Sequence, residues 1–173
     1  VIYAVTNYDM AANKGERNLF SIPLTGGDAK QITTTTGSEY NVQVTPSGKM
    51  GYLYNGQWWE AEWDSTGAKQ VTNIDGGIDN VKFSADGKYV LFSQEVKVTQ
   101  TVSERYPDLQ KANAHGADDL FYRHWDGWED GVYNHVFYGA YTATGISNPK
   151  DIMQGEAFDC PQTPFGGAED FIF

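Results

Sequence analysis

Cysteine is nearly absent from this sequence of 173 residues, and Cys160 is the only one. One cysteine cannot form an intrachain disulfide, and a zinc site built on several cysteines is excluded for the same reason. Long apolar runs are missing as well, since none approaches the roughly 20 residues that a helix needs to span a bilayer. We therefore expect no membrane insertion, and no pattern in the sequence predicts a metal ion or a cofactor.

Basic residues are also scarce. The chain has 12 Lys and Arg against 23 Asp and Glu, which gives a formal net charge of −11. Nucleic acid and anionic membrane surfaces are therefore excluded as favourable partners, because like charges repel. Two interpretations of the acidic composition remain open: an ordinary solvated surface, or attraction of a cationic ligand such as a peptide amino terminus.

The residues of nucleophilic catalysis are not arranged in any recognisable pattern. No Gly-x-Ser-x-Gly elbow occurs in the sequence, and none of His115, His124 and His135 lies in a triad context. Acidic pairs such as Glu129 and Asp130 are adjacent, so their side chains diverge rather than face each other across a substrate. The sequence therefore predicts no catalytic residue in this chain.

Two stretches of the sequence occur twice at the same spacing. Residues 29–33 (Ala-Lys-Gln-Ile-Thr) recur as residues 68–72, and the pattern of residues 42–49 recurs at 81–88, so the offset is 39 in both cases. A period of about 40 residues with strand and turn patterns is typical of the blades of a β-propeller. The predicted fold class is all-β: a partial β-propeller of about three four-stranded blades, with a short helical insertion in the third.

The repeat also predicts the limits of each blade. We place the units at residues 1–36, 40–74 and 79–154, with residues 168–173 as the first strand of a next blade. In the second unit, Asn-Gly at 55–56 predicts a tight type I′ hairpin, whereas the first unit lacks an innermost strand. Rings take roughly four to eight blades, so this chain cannot close one alone. Unpaired edges remain, and they predict a possible homodimer through exchanged strands.

An insertion interrupts the third unit between residues 94 and 134. Apolar residues at approximate i, i+3 and i+4 spacing over 108–128 predict short helices, and we place the helical insertion at about residues 104–130. Three interpretations compete: aromatic anchoring on the propeller, contact with a ligand, or a metal site, which would need a fourth ligand beside His124, Asp126 and Glu129. The candidates for contact with substrate or another domain are Glu104, Arg105, Arg123, His124, Trp125, Asp126 and Trp128.

The motif Tyr-Arg-His-Trp-Asp-x-Trp at residues 122–128 resembles a segment of one peptidase family. It is similar to the amino-terminal propeller of acylaminoacyl-peptidase and dipeptidyl-peptidase-like serine peptidases of the prolyl oligopeptidase family. Residues 18–33, 83–88 and 164–173 resemble the same proteins. The resemblance extends over essentially the whole chain.

This resemblance implies a parent enzyme in which a propeller covers a carboxyl-terminal α/β-hydrolase domain. That domain would hold the whole Ser-Asp-His triad, and the propeller would limit access to short peptides. The glutamate pair that binds the substrate amino end in the dipeptidyl peptidase IV branch has no counterpart here. Because the chain starts with strand-like residues and no Met, we expect it to be an internal piece of a longer protein. The resemblance favours a periplasmic or secreted location, and a cytoplasmic one stays open. The alternative is a TolB-like propeller that acts as a protein-interaction module without peptidase activity.

Overall fold

The computed structural model describes residues 1–109, 111–118, 123–125 and 127–173. The main elements are three antiparallel sheets that follow one another along the chain. The strands of the first sheet, in spatial order, are β1 (Ile2–Asp9), β2 (Lys14–Ser21) and β3 (Lys30–Gln31). Those of the second are β4 (Tyr40–Val44), β5 (Met50–Tyr54), β6 (Gln57–Ala61) and β7 (Lys69–Gln70). The expectation of a mostly β fold is confirmed.

The remaining elements belong to the third sheet and to the insertion within it. In chain order they are β8 (Asp79–Phe83), β9 (Tyr89–Lys97), helix α1 (Val102–Arg105), a 3₁₀ turn (Pro107–Leu109), β10 (Arg123–His124), β11 (Gly127–Trp128), β12 (Val132–Thr142) and β13 (Gly145–Asp151). The third sheet has the spatial order β13-β12-β9-β8, and β10 pairs only with β11. In the described part of the chain, no helix is long and apolar enough to cross a bilayer.

The threonine at the end of each repeated stretch, Thr33 and Thr72, makes the same hydrogen bond in both units. The Thr33 hydroxyl accepts a hydrogen bond from the Leu19 N–H, and the Thr72 hydroxyl accepts one from the Trp58 N–H, both at 2.8 Å. Each hydroxyl lies just after a two-residue outer strand that has few backbone bonds of its own. The side chain therefore completes the attachment of β3 to β2 and of β7 to β6, because a buried N–H needs an acceptor.

Apolar side chains join each sheet to the next. Successive residues of a strand point to opposite faces, so Tyr52 packs towards the first sheet and Leu53 towards the third. The cluster between the first two sheets contains Leu19, Ile32, Met50, Tyr52 and Ala61. The cluster between the second and third contains Leu53, Trp58, Ile78, Val81, Val90 and Phe92. The three sheets are thus stacked around two continuous cores.

The predicted hairpin of the second unit is present. Asn55 and Gly56 have φ angles of 51° and 66°, and Tyr54 pairs with Gln57 across the turn. Both central residues of a type I′ turn need positive φ, which Asn and Gly adopt at low cost. In the first unit, by contrast, residues 10–13 connect β1 to β2, which begins at Lys14. The hairpin is longer because β1 and β2 stay paired as far as Asp9 and Lys14.

The prediction of a helical insertion at 104–130 is wrong for most of the described part of that range. Helical turns lie early, in Val102–Arg105 and Pro107–Leu109, whereas β10 and β11 form a short hairpin. Residues 111–118 contain no helix. The spacing was misleading because residues 111–118 are exposed and their apolar side chains are all alanines. Five residues on which the helical reading or the family motif depended lie outside the described residues: Asp119, Leu120, Phe121, Tyr122 and Asp126.

The expected strand at residues 168–173 is not formed. Ala168–Asp170 make a 3₁₀ turn, and the last three residues have no strand partner among the described residues. A strand is defined by backbone bonds to a neighbour, and none is supplied at this position. Phe171 is nevertheless buried against Leu91 and Val136 of the third sheet.

Candidate functional site

The insertion leaves the third sheet at the end of a long strand pair. β9 and β12 stay paired from Tyr89 and Ala140 out to Lys97 and Val132, so the ladder extends into residues 94–134, the range predicted as the insertion. At the base of the insertion, the N–H groups of Val98 and Thr99 both donate to the Gly131 carbonyl, at 2.8 and 3.2 Å. The backbone hydrogen bonds between β9 and β12 therefore continue up to the base of the insertion, and the sheet is not interrupted.

Only glycine fits at the point where the insertion rejoins the sheet. Gly131 has a φ of 75°, and a Cβ atom there would lie 2.2 Å from the Thr99 carbonyl oxygen. A side chain would therefore separate the two strands at the base of the insertion. The close approach of Gly131 to Thr99 therefore determines where the insertion rejoins the third sheet.

Two of the candidate residues lie on helix α1, where one of them has a structural task. The Glu104 carboxylate accepts hydrogen bonds from the N–H and hydroxyl of Thr101, at 2.6 and 2.9 Å, and pairs with Lys97 at 3.0 Å. The Glu104 N–H donates in turn to the Thr101 hydroxyl at 3.3 Å, and with the bond from the Thr101 N–H this completes a capping box. The bonds to the carboxylate lower the pKa of Glu104 to about 2, with the Thr101 N–H as the largest cause. Arg105 forms an exposed ion pair with Asp118 at 3.5 Å.

Three ring and guanidinium planes hold the β10–β11 hairpin against residues 111–118. The His115 ring stacks on the Trp128 ring with 4.3 Å between centroids and 9° between planes. The Arg123 guanidinium lies 5.0 Å from the same indole, and Arg123 is the cross-strand partner of Trp128. His115 also contacts Asp130 at 3.0 Å. An indole face attracts a guanidinium cation and stacks with an imidazole ring, so Trp128 is the centre of this arrangement.

The tip of the hairpin presents an exposed aromatic pair. Trp125 is 77% exposed and meets the 79% exposed Phe165 edge to face, at 5.9 Å between centroids. The φ angle of Trp125 is 48°, a conformation that costs a bulky residue about 1 kcal/mol or more. His124 pairs with Gly127 in the hairpin, while Asp126 lies outside the described residues. A large apolar surface is therefore directed to solvent from a strained backbone.

An acidic cleft separates this hairpin from helix α1. Its volume is about 440 Å³, and it is bordered by Arg105, His115, Asp118, Glu129, Asp130 and Asp159 among others. A second cleft adjoins it and brings in Trp125 and Trp128. Carboxylates beside aromatic rings bind cationic groups of ligands. Within the described ranges, no group of three or more His, Cys, Asp or Glu side chains is arranged to hold a metal ion.

The structure brings together some of the predicted site residues and adds others. Arg123, Trp125 and Trp128 share one hairpin, and Arg105 lies across the acidic cleft from it. Sequence reasoning missed His115 and the loop at residues 157–165. That loop is held to β12 because the Asn134 N–H donates to Asp159 at 2.7 Å and the Cys160 N–H donates to the Asn134 carbonyl at 2.7 Å. No sequence signal predicted this contact, since the two segments are 25 residues apart.

His135 forms a histidine–aspartate pair that resembles part of a catalytic triad but is fully buried. Its Nδ1 contacts Asp151 at 2.8 Å, and its Nε2 contacts the Glu156 carbonyl at 2.9 Å. Both ring nitrogens are engaged, so neither is available to a nucleophile. Gln57 occupies the equivalent position in the second sheet. His135 precedes Val136 and Gln57 precedes Trp58, and the carbonyls of Val136 and Trp58 each accept a hydrogen bond from the residue that follows the outer strand of their sheet. The pair therefore has a structural role, since it joins β12 to Asp151 at the end of β13.

Comparison with known proteins agrees with the resemblance inferred from the motifs. The chain is 39% identical over 175 residues to dipeptidyl-peptidase 5 of Porphyromonas gingivalis, and 30% identical to dipeptidyl-peptidase 5 of Porphyromonas endodontalis. Each match covers 98% of this chain and 25% of the relative. Along nearly its whole length the chain is therefore similar to dipeptidyl-peptidase 5, which confirms the resemblance to dipeptidyl-peptidase-like proteins. No protein-family model matches the sequence.

Solved structures agree at the level of fold. An acylaminoacyl peptidase of Pyrococcus horikoshii superposes on this chain with a TM-score of 0.60 and 18% identity, over 87% of this chain and 23% of that one. At that identity the likeness concerns the fold alone. The chain spans about a quarter of the length of the curated relatives it matches.

Proposed function

We propose that this chain is a noncatalytic propeller portion of a serine peptidase that acts on short peptides. It is proposed to restrict access to a separate α/β-hydrolase domain of the same polypeptide. The observation that carries the proposal is the 39% identity to a dipeptidyl-peptidase 5 along 98% of the chain. The three stacked sheets support it, since sheets that stack at a period of about 40 residues build a propeller.

The proposal assigns catalysis to the other domain because no catalytic motif is recognisable in this sequence. No nucleophile elbow occurs in the sequence, and the His135–Asp151 pair is enclosed within the third sheet. A triad needs a nucleophile within hydrogen-bond reach of its base. We also propose a periplasmic or secreted location, on the strength of the family resemblance.

The first experiment measures peptidase activity in the full-length polypeptide that carries this sequence. We expect release of dipeptides from chromogenic dipeptidyl substrates and its loss after treatment with a serine-directed reagent. We also expect hydrolysis of peptides of about 10 residues and none of a folded protein, because a propeller limits entry by size. Absence of any hydrolysis would favour the protein-interaction module instead. Equal cleavage of folded proteins would contradict the access role.

The insertion is proposed as the element that contacts the hydrolase domain or the substrate. Its exposed Trp125 contacts Phe165 of the loop at residues 157–165, and other residues of the insertion border the acidic cleft. Exposed aromatic surface next to charge is typical of contact sites. In the full-length enzyme, Trp125→Ala and Arg123→Ala should lower kcat/KM by about 10-fold, which is about 1.4 kcal/mol. Leu24→Ala, at an exposed residue of the first unit, is the matched control. Unchanged kinetics in both insertion variants would contradict this role.

A further inference from the structure

One polar side chain in each sheet attaches the segment that follows the outer strand. In the first sheet, the Asn18 amide accepts from the Thr35 N–H at 2.9 Å and donates to the Thr35 carbonyl at 3.4 Å. In the second sheet, the Gln57 amide accepts from the Ile74 N–H at 3.0 Å and donates to the Ile74 carbonyl at 2.8 Å. An amide carries a donor and an acceptor at every pH, so neither attachment depends on a titratable group.

The third sheet uses an ionisable pair at the equivalent position. The Nε2 atom of His135 faces the Glu156 carbonyl oxygen at 2.9 Å, and its Nδ1 atom faces the Asp151 carboxyl group at 2.8 Å. The other oxygen of Asp151 accepts from the Met153 N–H at 2.8 Å. The side chains of His135 and Asp151 are 0% and 15% exposed, so the pair is enclosed by protein.

The geometry of this pair determines how many protons it holds. A carbonyl oxygen can only accept, so the Nε2 atom of His135 must carry a hydrogen. The Nδ1 atom and the Asp151 oxygen also share a hydrogen, whichever of them holds it, because two lone pairs at 2.8 Å would repel each other. The pair therefore keeps one proton more than a neutral imidazole beside a carboxylate. The negative charge of a neighbouring carboxylate favours that protonated form.

The groups around His135 make it the one expected to respond between pH 5 and pH 8, where imidazole ordinarily titrates. Gln94, which lies opposite it on β9, is uncharged. Burial raises the pKa of the Cys160 thiol, so this group stays protonated in the same range. The carboxyl groups on the segments packed around the ring are those of Asp75 beside the Gln94 amide, Glu95 on β9, Asp151 on β13, and Glu156 and Asp159 after it.

The segment that His135 holds leads directly into the loop at residues 157–165. This loop borders the acidic cleft, so its position affects the shape of the proposed contact site. It forms no strand, and side chains of β12 hold it in place. The Asn134 amide, next to His135, donates to the Thr163 hydroxyl at 3.1 Å. A change at His135 is thus transmitted to one side of the cleft.

We propose that His135 is a positioning residue for this loop and that the attachment it makes is sensitive to pH. While the pair keeps its extra proton, the ring bonds Asp151 and Glu156 together and the loop stays against β12. When that proton is released to solvent, a lone pair of the ring faces either the carbonyl or the carboxylate, and one of the two contacts is lost. The attachment does not depend on peptidase activity, and only its consequence for contact at the cleft rests on the proposed function.

Hydrogen exchange followed by mass spectrometry in the full-length polypeptide tests the attachment without any assay of activity. Protection of residues 152–160 is compared at about pH 5.5 and about pH 8.5, after correction for intrinsic rates. The bond to the protonated ring is present at the lower pH and is lost as pH rises, so we expect protection to fall about 10-fold. Strands β5 and β6, which the Gln57 amide serves, should not change. Constant protection of residues 152–160 would overturn the proposal.

A substitution that copies the second sheet separates His135 from other groups. His135→Gln introduces the amide found at Gln57, and we expect the protection of residues 152–160 to become independent of pH in this variant. The matched control is His115→Gln, which removes the imidazole that borders the cleft and should leave the pH dependence as it was. Loss of the pH dependence in the control, or its persistence in His135→Gln, would show that another group holds the loop.

A second variant keeps the proposal testable if His135→Gln does not fold. Asp151→Asn retains an oxygen that can accept from the ring but removes the negative charge that favours the extra proton. We therefore expect the fall in protection of residues 152–160 to move to lower pH. A fall at the same pH as in the original chain would mean that the His135–Asp151 pair is not the titrating unit, and the proposal would be wrong.

Discussion

In the stacked sheets, the side chains that join one unit to the next are fully buried, as Trp58 and Phe92 are. In the insertion, the corresponding contacts are exposed: the Lys97–Glu104 and Arg105–Asp118 ion pairs and the stack on Trp128. Burial of a large apolar side chain stabilises a fold by about 1.5–3 kcal/mol, whereas an exposed ion pair contributes about 0–1 kcal/mol. The sheets therefore provide stability, and the insertion can be rearranged at little cost in stability.

Removal of a buried aromatic residue should have the largest effect on stability. Trp58→Ala deletes a side chain that packs edge to face on Phe83 and donates to the Tyr141 hydroxyl at 3.2 Å. We expect the free energy of unfolding to fall by about 3–5 kcal/mol, measured by urea denaturation. The matched control is Trp125→Ala in the insertion, which should change it by no more than about 0.5 kcal/mol. Equal losses at the two positions would contradict the contrast between sheets and insertion.

The repeated threonine should give the next largest effect. Thr72→Val removes the hydroxyl that accepts from the Trp58 N–H and donates to the Gln57 side chain at 2.8 Å. Because the N–H loses its acceptor while buried, we expect a loss of about 1–3 kcal/mol in the free energy of unfolding. Thr72→Ser keeps the hydroxyl and should lose less. In the third sheet, Met153 accepts from Val136 through sulfur at 3.4 Å, so Met153→Leu should have a smaller effect than Thr72→Val.

The stacked sheets and the insertion also differ in how much of their structure could be predicted from the sequence. The hairpin at Asn55 could be predicted because two adjacent residues determine it, and the equivalence of the first two units could be predicted because the 39-residue repeat displays the same stretch twice. The His115–Trp128 stack could not, since it joins residues with no periodic relation. The extension of β9 to Lys97 escaped prediction for a related reason: polar residues become a strand there only because β12, which is distant in sequence, pairs with them.

A buried carboxyl group within the stacked region should change stability with pH. Glu39 is fully buried, and its Oε2 atom has no hydrogen-bond partner among the described residues. Ile78 occupies the same position in the next unit, because the N–H groups of Glu39 and Ile78 donate to the Arg17 and Gly56 carbonyls, which are 39 residues apart. Burial raises the pKa of Glu39, and its hydrogen bond with Thr35 opposes that rise only in part. The carboxyl group is thus favoured in its protonated form.

The direction of the effect follows from that pKa. A raised pKa favours folding below the unfolded value of about 4.3, and this contribution is lost as pH rises towards the folded value. Glu39→Gln should therefore be more stable than the original chain at neutral pH, by about 1 kcal/mol, and equal to it near pH 4. Urea denaturation at the two pH values measures this difference, with the exposed Glu16→Gln as control. A variant that is less stable at neutral pH would show that the ionised carboxylate has a favourable partner.

The smallest effect is expected in the insertion, where pH should act in the opposite direction. The pKa of Glu104 is lowered to about 2 by the Thr101 N–H and by Lys97, so its contribution is present above the unfolded pKa and is lost as pH falls. We expect the hydrogen-exchange protection of residues 97–106 to decrease between about pH 5 and pH 2, after correction for intrinsic rates, while β5 and β6 stay protected. Glu104→Gln keeps the capping geometry without the charge, so its protection should not vary over this range. Equal pH dependence in both proteins would mean that another group anchors α1.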